Sequence, residues 1–179
     1  MAEYAAFLRG INVGGHKPVP MGKLKKALEA LRFTDVRTIL VSGNVVFQAP
    51  RGKTETLERK IQAQLTKTFG SEIGVHVRTI DELARVHDSG PFTGFTSGPE
   101  VRFYVTFLSG KSKEYLTIPY ETPGGHFRIL KKTPREVFSV LTLSPESRTV
   151  DLMKVLEQKF GKDVTTRNYN TVIRVLSRA

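Results

Sequence analysis

The sequence contains no cysteine. That excludes disulfides and thiolate chemistry, and it fits a cytoplasmic setting. No apolar run approaches membrane-spanning length, so no membrane partner is expected. The first residues, Met1-Ala2-Glu3-Tyr4, place no basic stretch ahead of an apolar one, and no signal peptide is read there. Acid is missing over long stretches. None lies between Glu3 and Glu29, where Arg9, Lys17, Lys23, Lys25 and Lys26 fall. None lies between Glu121 and Glu136, where Arg128, Lys131, Lys132 and Arg135 fall. After Asp163 the charged side chains are Arg167, Arg174 and Arg178. The acids gather at Glu55 and Glu58, around Asp81-Glu82 and near Asp151.

What is present is a 179-residue chain, 39% hydrophobic, with a formal net charge of +11. That length suits one large domain or two small ones, with apolar content enough for a core. A segregated basic excess suits a polyanionic partner. It also serves simply to keep a small protein soluble. Both readings stay open at this point.

Tyr4 to Ile11 alternates as a strand, and the loop from Asn12 to Val19 follows it. Pro20 opens a helix from Met21 to Leu31 with Leu24, Leu28 and Leu31 on its buried stripe. Val36 to Val41 and Val45 to Phe47 read as a hairpin closed by Ser42-Gly43-Asn44. A helix capped by Thr54 buries Leu57, Ile61, Leu65 and Phe69 and stops at Gly70. Val75 to Arg78 is a short strand, and Thr79 caps a helix reaching His87. Strand, helix, strand, strand, helix, strand is the order of the split βαβ, or ferredoxin-like, unit.

Ser89 to Pro99 is rich in Gly, Pro, Ser and Thr and reads as a linker. Beyond it come a strand from Val101 to Phe107, a short helix from Lys111 to Leu116, and strands from His126 to Leu130 and Val137 to Leu143. Ser147 is the expected cap of the next helix. Thr165 or Thr166 is the expected cap of a last one, with Arg167, Asn168, Tyr169, Asn170 and Thr171 in its first turn. The expected class is therefore α+β: two ferredoxin-like units in tandem plus an extra C-terminal helix. Their bounds are 1–88 and 101–179, with 89–100 as linker.

Three polar groups stand out as anion-binding candidates. The first is Arg9, Asn12, Gly14, Gly15 and Lys17, a glycine-bearing loop at a strand end whose amides and cations can meet a phosphate or carboxylate. It is neither a Walker loop nor a dinucleotide fingerprint, and turn formation explains the same residues. The second is Ser42 and Asn44, which a hairpin turn also explains. In this reading the ends of strands one and two are opposed, so a shared site needs the hairpin to fold back. The third is Arg167, Asn168 and Asn170, polar residues at an expected helix start, where exposed N–H groups favour an anion; capping and bracing is the alternative. Arg102, Tyr104, His126, Arg128, Lys131 and Lys132 would form a basic, partly aromatic sheet face for nucleic acid, joined by Lys25 and Lys26. The RNA-recognition signature is absent, and a solvated strand edge explains the same lysines. His16, His76, His87 and His126 show no metal-ligand spacing, so no metal or other cofactor is expected. No catalytic constellation is legible, although His16 lies in the glycine loop.

Phe7 to Gly15 with Pro20-Met21, Phe33 to Thr38 with Ser42 to Phe47, and Thr165 to Val172 together resemble domain-of-unknown-function family 1697, a set of bacterial proteins. The resemblance covers nearly the whole chain. It implies two ferredoxin-like halves and no established activity. The family usually has Trp where this chain has Tyr169, and a Ser-Lys-Leu stretch where this chain has Ser147-Arg148-Thr149. The leading expectation is a non-catalytic cytoplasmic protein that binds nucleic acid or another polyanion. The alternative is a small phosphorylated ligand or nucleotide held by the Asn12 loop and the Arg167 helix start.

Overall fold

The computed structural model describes residues 1–14, 18–110, 116–145 and 151–179. The expected helix at Lys111–Leu116, the Ser147 cap, and Gly15, His16 and Lys17 of the glycine loop lie wholly or mainly outside the described residues. The protein is mixed α+β, with two antiparallel sheets of four and five strands and five helices among the described residues. It forms two compact units, residues 1–85 with 173–179, and residues 86–172. The stretch expected as a linker thus belongs to the second unit, and the last seven residues belong to the first. None of the described helices is long and apolar enough to cross a membrane.

In the first unit, β1 (Ala2–Leu8) leads through the glycine loop to α1 (Met21–Glu29), then β2 (Thr34–Ile39), β3 (Asn44–Ala49), α2 (Thr54–Phe69) and β4 (Val75–Thr79). The sheet order is β2-β3-β1-β4. Alternation sends Tyr4, Ala6 and Leu8 of β1 to one sheet face. There they join Val45 and Phe47 of β3, Val75 and Val77 of β4, and the apolar stripes Leu24-Leu28 of α1 and Leu57-Ile61-Leu65 of α2. Phe33 stacks on Phe47 at 4.6 Å. Gly70 ends α2 at φ 73°, its amide donating to the Thr66 carbonyl. Thr54 is the first helical residue rather than the cap; Lys53 holds the cap position without a side-chain bond. Thr79 does cap the next helix, α3 (Ile80–Asp88): Glu82 N–H donates to its hydroxyl while the Glu82 carboxylate accepts from Thr79 N–H.

β1 and β2 both run antiparallel to β3, so they run parallel to each other. Their ends are therefore at the same edge of the sheet, not opposed as the sequence reading had it. The glycine loop and the β2–β3 hairpin meet there directly.

The second unit holds β5 (Val101–Leu108), β6 (Tyr120–Glu121), β7 (Phe127–Lys132), β8 (Glu136–Thr142), α4 (Leu152–Phe160) and β9 (Val164–Asn168), in sheet order β6-β7-β8-β5-β9. Leu108, Phe127, Ile129, Val137 and Leu141 form its core with Leu156 and Phe160 of α4. Asp151 caps α4 by accepting from Lys154 N–H at 3.1 Å. The final helix, α5 (Tyr169–Leu176), starts two to three residues later than a Thr165 or Thr166 cap implies, because Val164 to Asn168 pairs with β5 as a strand. Val-Thr-Thr is a β-branched run, and that preference wins over the capping signal of its threonines.

Candidate functional site

At the edge of the first sheet, Asn12 uses its whole carboxamide inside the protein. Its Nδ2 donates to the Val19 and Val41 carbonyls, and its Oδ1 accepts from Val19 N–H. Asn44 is fully buried, its Nδ2 bonded to the Ile39 carbonyl and the Ser42 hydroxyl. Gly43 is forced by packing, since a Cβ there would stand 2.6 Å from Ile11 Cδ1 and 2.9 Å from Leu8 Cβ. Gly14 is exposed at φ 59°, and Arg9 lies against Gly74. The loop and hairpin do come together, and the Asn12, Ser42 and Asn44 side chains are engaged in hydrogen bonds within them.

Arg167 is not at a helix start. It lies in β9, 8% exposed, with its guanidinium donating to the Thr165 hydroxyl and the Thr166 carbonyl. Burial drives its pKa down from the usual guanidinium range to about 10. The expected basic sheet face is also divided. Residues directly opposite one another in antiparallel strands share a face. Arg102 faces Leu141 and Tyr104 faces Ser139, whereas Arg128 faces Val140 and Lys131 faces Phe138, on the other side. Tyr104 packs against the core, where burial raises its phenol and the Arg102 charge pulls it back. Arg128 pairs with Glu121 at 3.2 Å, and Lys25 lies 3.9 Å from Glu29 on exposed helix surface. His126 lies 3.4 Å from the Ser144 hydroxyl.

One pocket gathers residues from separate predicted groups. β8 pairs with β5 from Val101 onward, but β9 pairs with it only from Tyr104, where Asn168 ends the strand. The chain then turns away into α5. The gap leaves a shallow pocket of about 240 Å³ lined by Ser97, Gly98, Val101, Arg102, Phe103, Asn168 and Asn170. No acid lines it, and among the described residues Arg102 has no carboxylate partner. Asn168 Oδ1 accepts from Asn170 N–H at 3.0 Å. With that oxygen committed, the Asn168 amide has N–H donors left to offer. A guanidinium fork, an amide donor and a hydroxyl around a small void are the chemistry of an anion site.

Both walls of this pocket rest on an aromatic cluster that the sequence reading missed. Phe92, 7% exposed, stacks on Phe103 at 4.6 Å and 7° and touches Tyr169 at 4.9 Å. Tyr169 hydrogen-bonds His87 at 2.8 Å through its hydroxyl. Burial and the Asp88 charge raise the Tyr169 phenol. The available signal was two aromatic residues, Phe92 and Phe95, inside a Gly/Pro/Ser/Thr-rich stretch, of which Phe92 is buried: a true linker has no reason to carry a residue that must be buried. Among the described residues no three His, Cys, Asp or Glu gather where a metal ion could sit.

A conserved bacterial protein from Streptococcus pneumoniae shares the fold, with a TM-score of 0.70 over 99% of this chain and 98% of that one. The two are 17% identical, so the likeness is one of fold. No functionally curated protein matches the sequence. The family profile described as protein of unknown function (DUF1697) matches residues 1–138. The chain belongs to that family.

Proposed function

We propose that this protein binds a small anionic ligand at the end of β5, with Arg102 as the charge partner and Asn168 and Asn170 as neutral donors. The observation that carries the reading is the gathering of these three residues around an acid-free pocket. In this reading the protein is a cytoplasmic binding protein built from two ferredoxin-like units. The first sheet's order, β2-β3-β1-β4, supports that description, as does the run β7-β8-β5-β9 in the second. The test is isothermal titration of phosphate and simple phosphomonoesters into the wild type and Arg102→Ala. Binding that the substitution abolishes supports the site. Equal binding by both proteins removes it.

A second reading keeps a nucleic-acid partner. It rests on the net charge of +11 and on the exposed Lys23, Lys25 and Lys26 of α1, with Arg9, Arg102, Arg128, Lys131 and Lys132 as further contacts. Binding to mixed single-stranded RNA and DNA that falls steeply with added salt would support it. Absence of binding at low salt would end it.

A further inference from the structure

Phe103 lines the pocket, yet its ring lies on the opposite sheet face from Arg102, across from Val140 and stacked on Phe92 at 4.6 Å. What it brings to the pocket is main chain. In an antiparallel ladder the N–H and C=O of one residue point to one side, and those of the next residue to the other. The Glu100 carbonyl accepts from Leu143 N–H, and Leu108 N–H donates to the Arg135 carbonyl, both toward β8. The even-numbered residues of β5 therefore serve β8, and the odd-numbered ones present their polar groups to the β9 side. There Val101 N–H is taken by the Gly98 carbonyl at 3.2 Å, while β9 reaches only as far as Asn168, opposite Tyr104. Phe103 lies between the two. Its N–H precedes its carbonyl along the chain, so it stands on the Arg102 side of the gap. Among the described residues no turn carbonyl or side chain bonds that N–H.

We infer that the Phe103 N–H and the Arg102 guanidinium together bind a carboxylate. This rests on the anion-site reading above and names its ligand class. Had β9 run on, its next carbonyl would accept from the Phe103 N–H, so the gap suits an sp² oxygen in the plane of the sheet. A carboxylate is such a carbonyl with a second oxygen, and the guanidinium fork beside it suits that oxygen. The charges match as well. Among the described residues lining the pocket Arg102 is the single cation, and a carboxylate carries one charge where a phosphomonoester carries about 1.5–2. Asn168 and Asn170 remain for polar substituents next to the carboxylate. A pocket of about 240 Å³ takes one such group and not a long chain. The same chemistry comes from two sources, a free small carboxylic acid or the C-terminal carboxylate of a peptide whose last residue alone enters.

NMR titration of nitrogen-15-labelled wild-type protein separates the outcomes, with propionate, N-acetylglycine, inorganic phosphate, N-acetyl-trialanine and the C-terminal amide of that peptide as probes. The carboxylates are expected to bind more tightly than phosphate and to move the Phe103 amide proton downfield as its hydrogen bond forms. The peptide amide is expected not to bind. Arg102→Ala is expected to weaken each carboxylate about tenfold or more, the worth of a hydrogen bond to a charged group. Because the probe comparison uses wild-type protein alone, it decides even if Arg102→Ala fails to fold. Phosphate that binds as tightly as the carboxylates overturns this inference and leaves the anion site standing. So does carboxylate binding that leaves the Phe103 amide unmoved. A peptide amide that binds as well as the acid also overturns it. No binding by any charged probe overturns the anion site itself. Given the Phe103 shift, N-acetyl-trialanine that binds more tightly than N-acetylglycine identifies a chain terminus as the source. N-acetyl-trialanine that binds no better identifies the free acid.

Discussion

The Asn12 carboxamide ties two loops together: its Nδ2 reaches the Val41 carbonyl at 2.8 Å and the Val19 carbonyl at 3.0 Å, while its Oδ1 accepts from Val19 N–H at 2.8 Å. Asn12 also sits at φ 54°, where a side chain with a Cβ is strained. Replacing it with alanine loses three hydrogen bonds, each worth about 1 kcal/mol net, and keeps the strain. Asn12→Ala is therefore expected to lower the unfolding free energy by about 3 kcal/mol. Asn12→Gly loses the same bonds but adopts the conformation freely, so its loss is expected to be about 1 kcal/mol smaller. Urea unfolding of the two variants checks this. Equal losses would mean that the backbone angle contributes nothing.

Leu40 is the converse case. It is 43% exposed and holds φ 59° in the hairpin connection. A branched apolar side chain gains little there and pays for the left-handed backbone, whereas asparagine visits that region readily. Leu40→Asn is expected to stabilise by about 0.5–1 kcal/mol, a rise of roughly 1–4 °C in Tm for a chain of this size. A lower Tm by differential scanning calorimetry would show that Leu40 makes contacts worth more than its strain.

β4 is an outermost strand of the first sheet. Glu58 of α2 covers it: its carboxylate accepts from Val77 N–H at 2.7 Å and stands 3.8 Å from the guanidinium of Arg78, whose side chain is 1% exposed. Removing one member of a buried charged pair strands the other. Glu58→Ala is expected to cost about 3 kcal/mol or more. Glu58→Gln keeps an acceptor for the amide, and about 1 kcal/mol of that loss should return. If glutamine is no better than alanine in urea unfolding, the hydrogen bond to Val77 is not what Glu58 supplies.

These elements differ in how far the sequence announced them. The helices α1 and α2 were legible from leucine and isoleucine spacing, because that periodicity is the burial itself. The Thr79–Glu82 cap was legible in part, since the threonine stood at the right place. The start of α5 was not. Thr165, Thr166 and Asn168 are capping residues in isolation, and only the pairing of Val105 with Arg167 and Thr106 with Thr166 makes them strand. The same pairing decides the candidate site. It buries Arg167 and ends at Asn168, which opens the pocket beside Arg102. No local pattern carries that information, because it depends on where one strand stops against another 60 residues away.

Arg102 and Tyr104 lie two residues apart on one strand, and their coupling gives the pocket a built-in reporter. Burial raises the Tyr104 phenol above its ordinary value of 10.0, and the Arg102 charge opposes that rise. A raised folded-state pKa means that the neutral phenol's contribution to stability is whole below pH 10 and fades as pH climbs through the folded value. Tyr104→Phe is therefore expected to flatten part of the alkaline loss of stability. Arg102→Gln removes the opposing charge, so Tyr104 should ionise at still higher pH. An anion bound at Arg102 neutralises the same charge and should move the phenol in the same direction. Absorbance titration near 295 nm follows this, with Tyr104→Phe assigning the transition and Tyr169→Phe removing the other raised phenol among the described residues. A Tyr104 transition that Arg102→Gln leaves in place would break the coupling. One that moves with Arg102→Gln but not with saturating phosphate would place the anion elsewhere on the protein.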